Sequence, residues 1–165
     1  QLLIPNDKFR AHDLEKPLNL ERTFDLGVSL EVAEHIPEEH AGTFVESLTR
    51  HAPVILFSAA IPAQGGVHHV NERWPSYWAN HFREHDYVPI DVIRRMHWNN
   101  PNVDWWYAQN TLLFASRSTV DTNPNLLDAF NQTYPGQLDI VHPRNYEEAY
   151  SVASQDIYWH RRYRS

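Results

Sequence analysis

Two short apolar runs flank an amphipathic segment in the first third of the chain. Residues 24–30 and 54–60 carry few polar side chains, a pattern typical of buried strands. The second run lacks polar alternation altogether, which is typical of a strand buried on both faces. Between them, residues 38–51 place apolar side chains three or four positions apart from Ala41 to Leu48, which predicts a helix. The pattern therefore predicts a βαβ unit whose two strands are parallel.

The later part of the chain continues to alternate between apolar runs typical of strands and the spacing of three or four residues typical of helices. It predicts helices over residues 75–85, 91–97 and 124–131, an extended piece at 87–89, one long strand or a hairpin over 103–116, and a terminal helix within 145–160. Alternating strands and helices predict an α/β fold with helices on both faces of one sheet.

Composition narrows the class of protein. The chain has 21 acidic and 14 basic residues among 165 and no cysteine, which argues against a broad nucleic-acid surface and excludes disulfides and thiolate sites. No apolar run approaches the roughly 20 residues of a membrane helix, and no export signal opens the sequence. We expect a cytoplasmic protein without membrane or nucleic-acid partners. The basic, aromatic tail at 158–165 is interpreted as a solvated end or as a cover for a sheet edge.

Polar residues follow both predicted strands directly. Residues 29–35 and 61–74 are rich in glutamate, histidine and asparagine. Ligands of open α/β sheets bind beyond the carboxyl ends of the strands, so these two segments are the predicted location of a site.

Four segments, in this order, resemble class I S-adenosylmethionine-dependent methyltransferases. They are "HDLEKPL" (12–18), "FDLGVSLEVAEHIP" (24–37), "VILFSAAIPAQGGVHHVNERWPSYW" (54–78) and "WWYAQNTLLF" (105–114). The resemblance implies a partial Rossmann-like fold, with a mixed sheet flanked by helices and its first strands missing. Residues 1–116 would form the methyltransferase-like domain, and 117–165 a partly helical C-terminal extension.

The sequence also departs from that family. The glycine-rich loop after the first strand, and the acidic residue that ends the second, have no counterpart in this sequence and would precede residue 1. The central sheet edge would then be free. We therefore expect either a methyltransferase, whole or truncated, acting on a small-molecule methyl acceptor, or a noncatalytic relative that binds a partner or forms a homo-oligomer through this edge.

The resemblance assigns five residues to the cofactor S-adenosylmethionine. Asp13 would bind the adenine amino group with Leu14 beside the ring, and Ser29, Leu30 and Glu31 would form the end of the fourth strand. Alternatively, Asp13 caps a turn and Glu31 is a solvated loop acid.

On the acceptor side, the resemblance implies a site at His69, Asn71, Glu72 and Trp74, which match the "HxNExW" pattern of one subgroup of the family. His69 is the candidate base, because histidine titrates in the useful range, and His35 is a second catalytic candidate. The substrate-binding candidates are Asn71, Glu72, Trp74, Gln109 and Asn110. Alternatively, Asn71 and Glu72 cap the next helix, His69 is a structural hydrogen-bonding residue, and His35 forms a local ion pair.

We do not expect a metal site from the sequence. Histidines and glutamates in both polar segments offer suitable ligands for zinc or nonhaem iron, but no HExxH spacing is present. The adjacent His68 and His69 point to opposite sides of an extended chain, so a site that uses both would be strained.

Overall fold

The computed structural model describes residues 3–151 and shows an α/β protein with one four-stranded mixed sheet. The strands are β1 (Gly27–Leu30), β2 (Val54–Ser58), β3 (Tyr87–Ile90) and β4 (Leu112–Ser116). The helices are α1 (Ala41–His51), α2 (Pro75–Arg83), α3 (Ile93–His97), α4 (Trp105–Asn110), α5 (Arg117–Thr122) and α6 (Pro124–Asn131), and residues 143–151 are also helical. The α/β class with a mixed sheet is confirmed, whereas the methyltransferase arrangement stays a prediction.

The predicted βαβ unit is formed by β1, α1 and β2. Helix α1 buries Ala41, Phe44 and Val45, whose spacing of three and four residues puts them on one face against the core. Strands β1 and β2 are parallel, with Leu30 opposite Ser58 at their carboxyl ends. Both polar segments therefore leave the sheet at the same end, where the carboxyl ends of β1 and β2 lie side by side.

Strand order places β4 between β2 and β3, antiparallel to both. On one face of the sheet, Phe82 of α2 stacks on Phe114 of β4 with ring centroids 3.9 Å apart, and Phe57 of β2 meets both rings at steep angles. On the other face, α5 and α6 pack around buried Val120. Strands β3 and β4 are thus covered on both faces.

Strand β1 is shorter and more exposed than predicted. It begins at Gly27, and Phe24, Leu26 and Val28 are 38, 47 and 57% exposed. It lies at the edge of the sheet, and the helices on the second face contact β3 and β4. The prediction of a strand over residues 24–30 is therefore confirmed only for Gly27–Leu30, and the prediction that it is buried is wrong for Val28.

The prediction of one strand or a hairpin over residues 103–116 is also wrong in its first half. Residues 105–110 form α4, and β4 begins only at Leu112. Trp105, Ala108 and Gln109 are buried at helical spacing, so packing of that face outweighs the preference of aromatic residues for strands. The second apolar run likewise ends its strand at Ser58 rather than at residue 60.

The residues after Ser116 pack on the same core. Leu138 is 4% exposed within the main apolar cluster. Arg94 of α3 pairs with Asp91 and donates to the carbonyl oxygens of Gln137 and Leu138. The domain division at residue 116 stays a prediction.

The tail at 158–165, and the part of the predicted terminal helix beyond residue 151, lie outside the described residues. Within residues 3–151, no helix combines the length and apolar character needed to cross a bilayer.

Candidate functional site

An open cavity of about 340 Å³ lies beyond the carboxyl ends of β1 and β2, and we name it the rim cavity. Its walls are the turn after β1, the loop after β2 and helix α4. The side chains that matter below are Glu31, Glu34 and His35 from the turn, Gln64 and His69 from the loop, and residues 105–107 from α4. Its size falls within the range of small-molecule sites.

Glu31 ends β1 in a strained conformation that directs its side chain toward α4. Its φ is 51°, in the left-handed region that costs a residue other than glycine about 1–3 kcal/mol. The Glu31 N–H donates to the carbonyl oxygen and the Oγ of Ser58 at 3.1 and 3.0 Å, which offsets the strain. Its carboxylate accepts from Asn110 Nδ2 at 3.2 Å and from Gln64 Nε2 at 3.1 Å.

The predicted pair Gln109 and Asn110 forms the centre of a buried amide network. Asn110 Nδ2 donates to Gln64 Oε1 at 2.9 Å, and Gln109 Nε2 donates to Asn110 Oδ1 at 2.8 Å. Gln109 Oε1 accepts from the His142 N–H and from Asn145 Nδ2. The network therefore joins the loop after β2 to the C-terminal segment.

Glu34 is the most unusual group at the rim cavity. Its residue is 0% exposed, and neither carboxylate oxygen has a hydrogen-bond partner within the described chain. Burial raises the pKa of Glu34, and the residue's own backbone N–H lowers it; the nearby Glu31 carboxylate raises the pKa, whereas His69 and His35 lower it. His69 Nε2 lies 3.9 Å from Glu34 Oε1. A buried carboxyl group without a partner costs free energy unless it is neutral or meets a cation.

Backbone hydrogen bonds hold the loop after β2 against the turn after β1. The N–H groups of Val70 and Asn71 both donate to the Glu34 carbonyl oxygen at 2.9 Å. Arg73 Nε donates to Asn71 Oδ1 at 3.0 Å, and the guanidinium pairs with Glu38. These contacts fix the distance between the turn that carries Glu34 and the loop that carries His69.

His69 is held in one orientation by Glu72. His69 Nδ1 lies 2.9 Å from Glu72 Oε1, and the same carboxylate accepts from the N–H groups of Ala63 and Gly65 at 2.9 Å each. A carboxylate accepts and does not donate, so Nδ1 carries the proton in this pair. Nε2 is left as the nitrogen available for chemistry.

His35 is fixed in a similar way. Its Nδ1 lies 3.1 Å from the carbonyl oxygen of His68, which can only accept. The ring meets that of His69 edge-on, with centroids 4.9 Å apart. The exposed His68 side chain is not part of the rim cavity.

The structure does not bring Asp13 and Leu14 to the rim cavity. Asp13 is an exposed turn residue that pairs with Lys16 at 2.9 Å and accepts from the Glu15 N–H; the Lys16 side chain, then this amide, lower the pKa of Asp13. Leu14 lines a separate apolar cavity beside Gly27, at the amino end of β1.

Seven other predicted residues lie outside the walls of the rim cavity, namely Ser29, Leu30, Asn71, Glu72, Trp74, Gln109 and Asn110. Ser29 and Leu30 are within β1, and Ser29 is buried. Asn71 is buried behind the loop, whereas Trp74 is 37% exposed and precedes α2. Neither Asn71 nor Glu72 caps α2, whose N-cap residue is Trp74.

Gln64 and Gly66 belong to the site but are not predicted from the sequence. A Cβ atom on Gly66 would lie only 2.2–2.7 Å from three atoms of the His69 ring, so this close approach requires glycine. The signal available in the sequence is the Gly65–Gly66 pair between a buried strand and two histidines.

Comparisons with family models, curated proteins and solved structures find no match for this chain. The resemblance to class I methyltransferases therefore stays a prediction, and the functional argument depends on the geometry of the rim cavity.

Proposed function

We propose that the rim cavity is the acceptor site of an S-adenosylmethionine-dependent methyltransferase with a Rossmann-like sheet. The observation that carries the proposal is His69, held at Nδ1 by Glu72, in the wall of a cavity that also contains aromatic side chains. The parallel pair β1 and β2 supports it, because the resemblance makes them the fourth and fifth strands, which are neighbours in doubly wound sheets.

The acceptor would be a small aromatic hydroxyl or amine. S-adenosylmethionine would supply an electrophilic methyl group and leave as S-adenosylhomocysteine, and such an acceptor would lose a proton when it is methylated. His69 Nε2 would take that proton, and Glu72 would stabilise the resulting imidazolium through Nδ1–H. His35 packs against His69 and keeps its ring in place. Trp105, Trp106 and Tyr107 provide apolar and stacking surface.

The residues that the resemblance assigns to the methyl donor do not line a single cavity. Leu14 lies at the amino end of β1, and Glu31 at its carboxyl end. The Glu31 carboxylate is also occupied by Asn110 and Gln64. These residues do not fit one complete donor pocket, so the chemistry that the geometry supports lies on the acceptor side.

The test uses 4-fluorophenol as the acceptor probe, observed by fluorine NMR. We expect saturable line broadening with the wild-type chain and with His68→Gln, but at least fivefold weaker binding to His69→Gln. No saturable broadening by the folded wild-type protein, or equal affinity in all three, would overturn the acceptor site. Adding S-adenosylmethionine tests methyl transfer: 4-fluoroanisole is expected, and its absence despite probe binding would refute the methyltransferase assignment.

A second candidate function is a noncatalytic relative that self-associates through β1. The observation in its favour is the edge position of β1, with Val28 57% exposed. Edge strands with apolar side chains pair readily with another chain. This function predicts a dimer by light scattering that Val28→Lys converts to a monomer; a wild-type protein that remains monomeric at 100 µM or so would exclude it.

A further inference from the structure

We propose that Glu34, His35 and His69 bind one divalent transition-metal ion at the wall of the rim cavity. Each residue offers one ligand atom, and these three atoms lie within 4.8 Å of one another. Atoms at this spacing share a point no more than about 2.8 Å from each, whereas zinc ligands lie at about 2.1 Å. Side-chain shifts of under about 1 Å would therefore complete three bonds.

Both histidines are already oriented as metal-binding histidines are. Such residues characteristically donate one ring N–H to a carboxylate or a backbone carbonyl, and the other nitrogen binds the metal. Here Nδ1 of His69 is held by Glu72, and Nδ1 of His35 is held by the carbonyl oxygen of His68. Nε2 of each ring therefore remains available to bind an ion.

Glu34 supplies an independent observation. Its carboxyl group is fully buried, and neither oxygen has a hydrogen-bond partner among the described residues. Two backbone N–H groups, of Val70 and Asn71, fix its carbonyl oxygen and hence its position. A divalent cation would provide the partner that a buried carboxylate requires.

The ligand set indicates the class of metal. Two imidazoles and one carboxylate are typical of catalytic zinc and of nonhaem iron, whereas magnesium and calcium prefer oxygen ligands alone. The remaining coordination position would face the rim cavity. A metal there lowers the pKa of a bound hydroxyl group, so in the loaded protein the ion, rather than His69 as a base, would activate the acceptor.

The test is calorimetric titration of the EDTA-treated full chain with zinc chloride. We expect one ion per chain for the wild type and for the control variant His85→Gln, whose partly exposed side chain lies outside the rim cavity. Glu34→Gln and His69→Gln should each weaken binding at least tenfold, and Glu72→Gln should weaken it by about 10–100-fold through the orientation of His69. Cobalt(II) provides a second readout through visible absorption bands that these variants should lose.

Three outcomes would overturn the metal site: no saturable zinc binding by the folded wild type, unchanged affinity in both ligand variants, or saturable binding of magnesium alone. Circular dichroism establishes that each variant is folded. The inference does not depend on methyl transfer. Zinc binding without 4-fluorophenol binding would refute only the proposed function, whereas probe binding that persists in EDTA without any zinc binding would refute only the metal site.

Discussion

Substitution of Arg94 by methionine tests how the C-terminal segment is attached to the core. The residue is 1% exposed, and its guanidinium makes two hydrogen bonds to the Asp91 carboxylate at 2.8 and 2.6 Å. It also donates to the carbonyl oxygens of Leu138 at 2.7 Å and Gln137 at 3.2 Å. Arg94→Met keeps most of the apolar volume but leaves a carboxylate and two carbonyl groups without their donor.

The expected cost follows from that geometry. Removing one partner of a buried ion pair costs about 3–5 kcal/mol, because the other charge stays buried and unpaired. A domain of this size has a free energy of unfolding of about 5–15 kcal/mol, so the loss is a large share of it. Since each kcal/mol lowers the melting temperature by roughly 2–4 °C at this length, Arg94→Met should melt about 6–20 °C below the wild type.

The measurement is urea unfolding at 25 °C together with a thermal melt followed by circular dichroism. Arg95→Met is the matched control, because its side chain is exposed and hydrogen-bonds to the Asp91 carbonyl oxygen and to Gln132. We expect the control to lose less than about 1 kcal/mol. A loss of less than about 1 kcal/mol in Arg94→Met itself would show that the buried pair does not anchor the segment.

Three further changes test other parts of the structure. Gly66→Ala should displace the His69 ring, because the new Cβ would lie 2.2 Å from its nearest atom; a loss of zinc and 4-fluorophenol affinity is expected in a protein that circular dichroism shows to be folded but that melts at a lower temperature, since φ at Gly66 is 158°, and unchanged affinity would contradict the packing. Phe82→Ala should cost about 3–5 kcal/mol in urea unfolding, because it empties the stack on Phe114, and a cost below about 1 kcal/mol would mean that the core collapses around it. Burial raises the pKa of Tyr87 above its ordinary value of 10.0, so its folded state holds the phenol proton more tightly and its contribution to stability is lost as the pH rises from 10 through the raised pKa. Tyr87→Phe should therefore lose stability at pH 8 but narrow its deficit relative to the wild type above pH 10, and a constant difference across that range would refute the shift.

Apolar periodicity predicted most of the elements correctly. The run at 54–60 and the helical spacing from Ala41 to Leu48 identified β2 and α1 because their apolar faces are buried in the core. The same reasoning located β1 but not its burial, because its apolar residues include the exposed Val28. Sequence shows that a residue is apolar, but burial depends on which elements reach it, and the second-face helices contact β3 and β4.

The sequence predicted which segments form the candidate site, but not which of their side chains contact one another. The residues after both strands were expected at one sheet edge, and Glu31, His69 and Gln109 do lie around the rim cavity or its network. That His35 and Glu34 approach His69 depends on backbone hydrogen bonds between two loops, and no local pattern encodes those. The amide network through Gln64 likewise requires residues 105–110 to be helical. Their aromatic side chains instead led to the prediction of a strand.

The position of β4 has a consequence for how the protein folds during synthesis. In the β2–β4 pair, Val54 faces Ala115 and Phe57 faces Leu112, so partners are 55 to 61 residues apart in the chain. Strand β4, one of the two inner strands of the sheet, is therefore the last of the four to leave the ribosome. Until then β2 and β3 have no common neighbour, and the βαβ unit must persist with one edge of β2 unpaired. Such long-range pairing slows folding and prolongs the exposure of apolar surface. We therefore expect a chaperone to bind the nascent chain mainly at this stage.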